Sequence, residues 1–218
     1  MMRIGIELNG IVRDINKQII KYYKKDINPS YDDKNVNYNV LNIIDGLGFK
    51  SKKEKFEFMY VDYPYEIFGC APTSHRNLAV TINNWIVDLN NKEDDTYDIK
   101  FFSLKEEGLS IQSTYYFLGK IGSRVREMFF PKNGSTMWEK CDVIITTNEN
   151  IINTKPEGKK VVLIKTDDVK VELKEKADFV YDSLMELITD GEFLSKVKTI
   201  KENNNILSKI KSFFKKSK

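Results

Sequence analysis

The chain has 218 residues, of which 41% are hydrophobic and 31% charged. This composition is typical of a globular protein with a buried core rather than of a disordered one. No apolar run reaches the roughly 18 residues that a membrane span needs, and the first residues lack the pattern of a signal peptide. Two cysteines and one histidine exclude a disulfide framework, a zinc finger and histidine-dependent catalysis. We therefore expect a cytoplasmic protein that is not integral to a membrane.

The net charge of +3 is unevenly distributed along the chain. Eight lysines against one glutamate give residues 196–218 a formal charge of +7, which leaves −4 for residues 1–195. Lysine outnumbers arginine 30 to 5, whereas sites that grip phosphate specifically more often use the planar fork of arginine. The lysines are therefore weak support for a nucleic-acid partner, and that partner stays an open alternative.

The first half of the chain predicts one strand followed mainly by helix. Residues 3–10 predict a short buried strand that ends in a polar turn, and residues 14–25 predict an amphipathic helix with Ile15, Ile19, Ile20 and Tyr23 at helical spacing. Residues 26–60 predict irregular chain with one or two short helices. Further helices are predicted over residues 65–68 and 74–89, the second with an apolar face.

From residue 98 the pattern changes to alternating strands and helices. Strands are predicted over residues 98–103, 125–130, 142–146, 160–165 and 178–181. Helices are predicted over residues 110–120, with Ser110 as the N-cap, and over 137–140, 148–153 and 183–189. Short apolar strands separated by short helices indicate an α/β fold, in which a Rossmann-like parallel sheet is flanked by helices.

Polar residues follow the carboxyl ends of the predicted strands, where ligands bind in an open α/β sheet. The first strand runs into Glu7-Leu8-Asn9-Gly10-Ile11-Val12-Arg13-Asp14, and the second ends in Phe101-Phe102-Ser103. Lys132 follows the third strand, and Thr146-Thr147 end the fourth. This order resembles the four short motifs of the haloacid dehalogenase-like phosphohydrolases, in particular the nucleotidase-like branch of bacteria and tailed phages.

The similarity to that branch continues in Lys155-Pro156-Glu157-Gly158-Lys159 and Ala177-Asp178-Phe179, so that it covers about residues 2–190. It implies a haloacid dehalogenase-like α/β core over residues 1–13 and 97–191. A small, mainly helical cap is expected over residues 14–96, inserted after the first strand. Residues 192–218 then form a basic amphipathic C-terminal helix or tail.

The resemblance also implies catalytic roles that this sequence does not preserve. The family uses one aspartate to attack phosphorus, a second as acid and base, a lysine in the third motif, and acidic residues of the first and fourth motifs to hold Mg²⁺. Lys132 is the candidate lysine, with Lys120 as the second choice. The acidic positions carry Glu7, Asn9, Thr146 and Thr147.

These replacements predict a loss of chemistry. Glu7 keeps a carboxylate but adds a methylene, and misplacing a nucleophile by about 1 Å can slow a reaction on the order of 100-fold. Asn9 has no titrating proton, and threonine lacks the charge that Mg²⁺ favours. We therefore expect no catalytic residue and no cofactor. The degenerate catalytic positions are Glu7, Asn9, Ser103 and Lys132, and the degenerate metal positions are Glu7, Asn9, Thr146 and Thr147.

Several interpretations stay open for individual residues. Glu7 and Asn9 also fit a strand that simply ends in polar turn residues, and Ser103 with Lys132 could retain a relic site for phosphate or sulfate. The Asp167-Asp168 pair is interpreted as a solvated turn, with metal binding as the alternative.

Two functions from different classes follow from the resemblance. The first is a catalytically inactive structural or interaction module, expected as a virion or assembly component of a tailed bacteriophage in the host cytoplasm or the virion. The second is a divergent Mg²⁺-dependent phosphatase or 5′-nucleotidase that acts on small phosphate esters. The loss of acidic residues favours the first.

The C-terminal segment predicts a site for a partner. Its apolar residues stand at roughly helical spacing among lysines, and the partner-binding residues are expected to be Ile206, Leu207, Ile210, Phe213 and Phe214. Such a segment can pack on its own domain, lie on an anionic membrane, or dock in a groove of another protein. A protein partner, such as a phage structural protein, is the hypothesis we prefer.

Overall fold

A computed structural model describes residues 1–91 and 97–198 of the chain. Its strands are β1 (Met2–Glu7), β2 (Tyr97–Phe102), β3 (Glu127–Phe129), β4 (Val143–Thr146), β5 (Lys160–Ile164) and β6 (Phe179–Tyr181). Its helices are α1 (Ile15–Asp26), α2 (Lys52–Glu57), α3 (Leu78–Asn90), α4 (Leu109–Lys120), α5 (Met137–Lys140), α6 (Glu149–Asn153), α7 (Val171–Lys176) and α8 (Leu184–Thr189). Short 3₁₀ turns occupy Ile43–Gly46 and Gly134–Thr136, π-helical turns occupy Phe58–Asp62 and Tyr65–Gly69, and residues 193–198 are helical.

The six strands form one parallel sheet in the order β3-β2-β1-β4-β5-β6. The predicted α/β fold with a Rossmann-like parallel sheet is thus confirmed. Successive strands extend to one side from β1 and to the other side from β4, so the strand order reverses between these two neighbours. In open α/β sheets, ligands bind at the carboxyl ends of the strands beside such a reversal.

Helices cover both faces of the sheet. Consecutive residues of a strand direct their side chains to opposite faces, so the strands pack against both helix layers. One face carries Ile4, Ile6, Phe101 and Ile145 and packs against α3, α4, α8 and residues 193–198. The other face carries Phe102, Ile144, Val161 and Leu163 and packs against α5, α6 and α7. Strands that are apolar on both faces in this way account for the continuous apolar runs seen in the sequence.

The chain between β1 and β2 packs in two different ways. Residues 15–68 have an apolar cluster of their own, with Ile19, Ile20, Tyr23, Phe58 and Phe68 at its centre. The helix α3, in contrast, contributes Leu78, Ile82, Trp85, Ile86 and Leu89 to the cluster on the sheet. The predicted cap range of residues 14–96 therefore includes one helix that packs with the core, and its boundaries stay a prediction.

The Asp167-Asp168 turn ties this inserted region to the sheet. Asp167 accepts hydrogen bonds from the side-chain amides of Asn37 and Asn39, both at 2.8 Å. Its backbone N–H donates to the Asn39 carbonyl at 2.8 Å, and the Leu41 N–H donates to Asp168 at 3.2 Å. Asp167 and Asp168 are thus exposed turn residues, as predicted, and both carboxylates also bond residues more than a hundred positions away.

Two features of the helices differ from what the sequence predicts. Ser110 is not an N-cap, because α4 begins at Leu109 after Gly108, and the Ser110 hydroxyl instead bonds the backbone of Glu107. The helix α7 escaped prediction because its six residues bury only Leu173 and show no apolar repeat.

In the part of the chain that the structure describes, no helix is long and apolar enough to cross a bilayer. The predicted partner-binding residues Ile206, Leu207, Ile210, Phe213 and Phe214 lie outside the described residues.

Candidate functional site

Glu7 lies at the reversal point of the sheet, where β1 ends beside β4. The pairing of Ile6 with Ile145 places Glu7 beside Thr146. One carboxylate oxygen of Glu7, Oε2, accepts hydrogen bonds from the Thr146 hydroxyl at 2.6 Å, the Thr147 N–H at 3.1 Å and the Thr147 hydroxyl at 3.4 Å. All three residues are buried, and Glu7 is only 6% exposed. Two predicted site positions, the ends of the first and fourth strands, are therefore in direct contact.

Burial raises the pKa of the Glu7 carboxyl, because a charge is poorly solvated inside the protein. The hydrogen bonds from Thr146 and Thr147 act to lower that pKa, as does the positive charge of Lys105, but burial outweighs them. The result is a carboxyl group that binds its proton more tightly than a carboxyl in water does.

Asn9 stands two residues beyond Glu7, in the turn that follows β1. Gly10 has a φ of +80°, and its N–H donates to the Arg13 carbonyl at 2.9 Å, which closes this turn. The Asn9 amide nitrogen donates to the Ser103 hydroxyl at 2.9 Å, and its amide oxygen accepts from Arg13 Nη2 at 2.6 Å and Nε at 2.9 Å. Asn9 and Ser103 are thus brought together as predicted, and Asn9 also bonds a residue for which no role was predicted.

Arg13 is fully buried and holds the centre of this site. Its Nη2 lies 2.5 Å from Glu106 Oε1 in an ion pair whose two side chains are both 0% exposed. Its Nη1 donates to the Thr114 hydroxyl at 2.7 Å and to the Phe68 carbonyl at 2.9 Å. The guanidinium also lies over the rings of Phe68 and Phe117, with 5.2 and 5.3 Å to their centroids. Arg13 therefore joins the inserted region to the core through Phe68.

Glu106 receives two further hydrogen bonds, from the hydroxyls of Ser103 and Thr114. Burial lowers the pKa of Arg13, and the charge of Glu106 and its hydrogen bond act to raise it. Because a free guanidinium has a pKa above 12, Arg13 remains a cation. We call Asn9, Arg13, Ser103, Glu106 and Thr114 the buried polar cluster.

The lysines at the site differ from the sequence-based expectation. Lys132 is exposed in the loop after β3, and no hydrogen bond or ion pair joins it to Glu7, Asn9 or Ser103 in the described residues. Lys120 donates to the carbonyls of Gly69 at 3.0 Å and Ala71 at 2.8 Å, so it contacts the inserted region. Lys105, for which no role was predicted, is exposed, and its positive charge acts to lower the pKa of Glu7.

The oxygen atoms around Glu7 do not fit a magnesium site like that of the haloacid dehalogenase-like phosphohydrolases. Mg²⁺ favours several oxygens with negative charge. Here Glu7 Oε2 already accepts three hydrogen bonds from Thr146 and Thr147, whose side chains are neutral. The carboxylate of Glu106 is paired with Arg13. Within residues 1–91 and 97–198, no group of three or more His, Cys, Asp or Glu side chains is placed to hold a metal.

Sequence reasoning missed Glu106, Thr114 and the role of Arg13. Arg13 belongs to the first motif as quoted, but nothing in its neighbours shows that it is buried. Glu106 follows Ser103 by three residues and looks like any polar residue of a turn. No local pattern predicts that the two meet, because they are 93 positions apart.

No protein-family model matches the sequence, and no curated protein matches it. Among solved structures, a dehalogenase has a TM-score of 0.51 and 11% identity, over 86% of this chain and 95% of that one. An L-2-haloacid dehalogenase from Xanthobacter autotrophicus has a TM-score of 0.46 and 8% identity, over 86% and 97% of the two chains. A β-phosphoglucomutase from Clostridium difficile has a TM-score of 0.49 and 15% identity, over 95% and 100%. At such identities the first likeness speaks for the fold alone, and the chain has a fold similar to that of a dehalogenase.

Proposed function

We propose that the protein is a non-catalytic module with a haloacid dehalogenase-like fold that serves a structural or interaction role. The observation that carries the proposal is the state of Glu7, the carboxylate at the place of the family's nucleophile. It is buried, and the oxygen Oε2 is engaged by Thr146 and Thr147. A nucleophilic carboxylate must be accessible to a substrate, whereas Glu7 is only 6% exposed and its Oε2 accepts three hydrogen bonds from the protein.

The groups around Glu7 support the same conclusion. Asn9 stands at the acid–base position and has no proton to exchange. Its amide is held between Ser103 and Arg13, so that it is not free to turn toward a ligand. Glu106, the carboxylate of the buried polar cluster, is paired with Arg13, so its charge is not free to balance that of Mg²⁺.

The proposal retains the expected setting of a virion or assembly component of a tailed bacteriophage. Its support is the resemblance of the first motif and of the segment around Pro156 to the phage-type nucleotidase-like branch. The competing function is a divergent Mg²⁺-dependent phosphatase or 5′-nucleotidase. A retained carboxylate at Glu7, influenced by the charge of Lys105, is the observation in its favour.

Hydrolysis assays separate the two functions. Purified protein is incubated in millimolar MgCl₂ with p-nitrophenyl phosphate and with nucleoside 5′-monophosphates, and released phosphate is measured. We expect no release above that of the Glu7→Gln variant, which keeps the size of the side chain and removes the nucleophilic carboxylate. Turnover by the wild type that is absent from Glu7→Gln would establish the enzyme and overturn the proposal.

A further inference from the structure

A groove of about 750 Å³ runs beside β3, at one side edge of the sheet. Residues 125–129 form its floor, α4 contributes Tyr115 and Leu118, and Lys140 lies on the other side. Met128 packs toward the face of the sheet that carries α4, and Phe129 packs toward the opposite face. The open edge of β3 therefore lies between two walls.

The backbone of β3 directs hydrogen-bonding groups into this groove. The Ser103 N–H donates to the Phe129 carbonyl at 3.0 Å, so the polar groups of Phe129 are directed at the β2 side. Consecutive residues of a strand direct their N–H and C=O groups to opposite edges. Met128 therefore directs its N–H and C=O away from β2, where β3 has no neighbouring strand among the described residues.

The side chains that line the groove include more cations than carboxylates. Its one acidic side chain, Glu127, forms an ion pair with Lys100, which also binds Asp98 at 2.7 Å. Arg126 is exposed, and Lys140 lies over the ring of Phe129 at 4.7 Å. In the described part of the chain, neither Arg126 nor Lys140 has a carboxylate partner.

We propose that an extended, acidic segment of a partner protein adds to β3 as a further strand of the sheet. Its backbone pairs with Met128, and its carboxylates bind Arg126 and Lys140. Edge strands with free N–H and C=O groups accept peptides in this way, and side chains beside the strand select the sequence. The free backbone groups favour a peptide over a nucleic acid, which would use the cations but not the strand edge.

The short strand limits the strength of this interaction. Only three residues form β3, so the backbone offers few hydrogen bonds, and the cations and the exposed ring of Tyr115 supply the remaining contacts. We expect dissociation constants in the micromolar range and a marked weakening by salt. The groove lies at a side edge of the sheet, whereas Glu7 lies at its centre, so this inference goes beyond the proposed function and does not depend on it.

Fluorescence anisotropy with the full chain tests the proposal. The probe is a labelled ten-residue peptide in which glutamate alternates with valine and threonine. A second peptide has the same sequence with alternate valines N-methylated, which removes backbone donors and leaves the charge unchanged. We expect the first peptide to bind about tenfold more tightly than the N-methylated one.

Variants of the protein provide the matched controls. Arg126→Glu and Lys140→Glu should each weaken binding about tenfold, because attraction becomes repulsion, whereas Arg76→Glu at another exposed arginine should leave it unchanged. Absence of peptide binding, equal binding of the N-methylated peptide, or equal loss in all three variants would overturn the proposal. Tight binding of oligo(dT) that depends on Arg126, without peptide binding, would replace it with a nucleic-acid site. None of these results depends on the phosphate-release assay, so each proposal can fail separately.

Discussion

Polar groups at the centre of the sheet have partners within the protein, whereas two cations at its side edge lack a carboxylate partner among the described residues. At the centre, the side chains of Glu7, Asn9 and Arg13 all bond within the protein. At the β3 edge, Arg126 and Lys140 have no carboxylate partner in the described residues, and Met128 directs its backbone outward. The polar side chains at the reversal point of the sheet therefore bond mainly within the protein, whereas the cations without a carboxylate partner lie two strands away.

Solvation explains why the two regions differ. A buried charge is strongly destabilising unless it is paired and hydrogen-bonded, so Arg13 requires Glu106 and its hydroxyl partners. At the edge, water solvates the unpaired cations, and they cost the fold little. An unpaired cation at the surface can therefore be kept for a partner, whereas an unpaired cation at the centre would strongly destabilise the fold.

The largest expected effect on stability comes from breaking the buried ion pair of Arg13 and Glu106. In Arg13→Met, Glu106 remains buried without its counterion, and we expect the free energy of unfolding to fall by about 3–5 kcal/mol. Urea unfolding followed by circular dichroism measures the loss. The double variant Arg13→Met with Glu106→Gln removes both charges and should recover part of it. A loss below about 1 kcal/mol in the single variant, as for a surface pair, would contradict the central role of the cluster.

A smaller change in the free energy of unfolding is expected from the titration of Glu7, and its pH dependence tests the environment of this carboxyl. Because burial raises its pKa, the folded state binds the Glu7 proton more tightly than the unfolded chain does. The stability from this group is fully present below the ordinary carboxyl pKa of about 4.3 and is lost as pH rises through the raised pKa. Relative to Glu7→Gln, the wild type should therefore be more stable at about pH 5 than at about pH 8. A tenfold change in proton affinity corresponds to about 1.4 kcal/mol in that difference.

Other carboxyls titrate with the opposite sign but cancel in this comparison. Burial acts to raise the pKa of Asp142, but hydrogen bonds from Arg3 and Lys159 outweigh it and hold that pKa well below its usual range. The stability from Asp142 is therefore lost as pH falls, equally in the wild type and in Glu7→Gln. A difference between the two proteins that does not change with pH would show that Glu7 titrates like a carboxyl in water.

The smallest expected effect is at the β3 edge. Arg126→Glu should change the free energy of unfolding by no more than about 0.5 kcal/mol, because an exposed side chain without a carboxylate partner contributes little to folding. Urea unfolding beside Arg76→Glu checks this. A loss of more than about 1 kcal/mol would show that Arg126 supports the fold and would remove the contrast between the two regions.

Much of the fold was accessible from the sequence because it depends on local patterns. Apolar runs such as residues 143–146 and 160–164 form buried parallel strands, since only strands covered on both faces need apolar side chains at every position. The contact of Glu7 with Thr146 followed from the same rule, because the ends of parallel strands meet at one edge of the sheet. The absence of α7 from the predicted helices has the converse cause, since a helix that buries one leucine leaves no repeat to detect.

The sequence by itself determined the α/β fold and the polar residues at the carboxyl ends of its strands. Only the tertiary structure decided that Arg13 is buried against Glu106 and that the Asp167-Asp168 turn holds the inserted region. Each of these contacts joins residues far apart in the chain, and none leaves a repeat or a motif nearby. Their physical origin is the burial that packing creates, since burial makes a charge require a partner and no residue's identity alone reveals where the chain will exclude water.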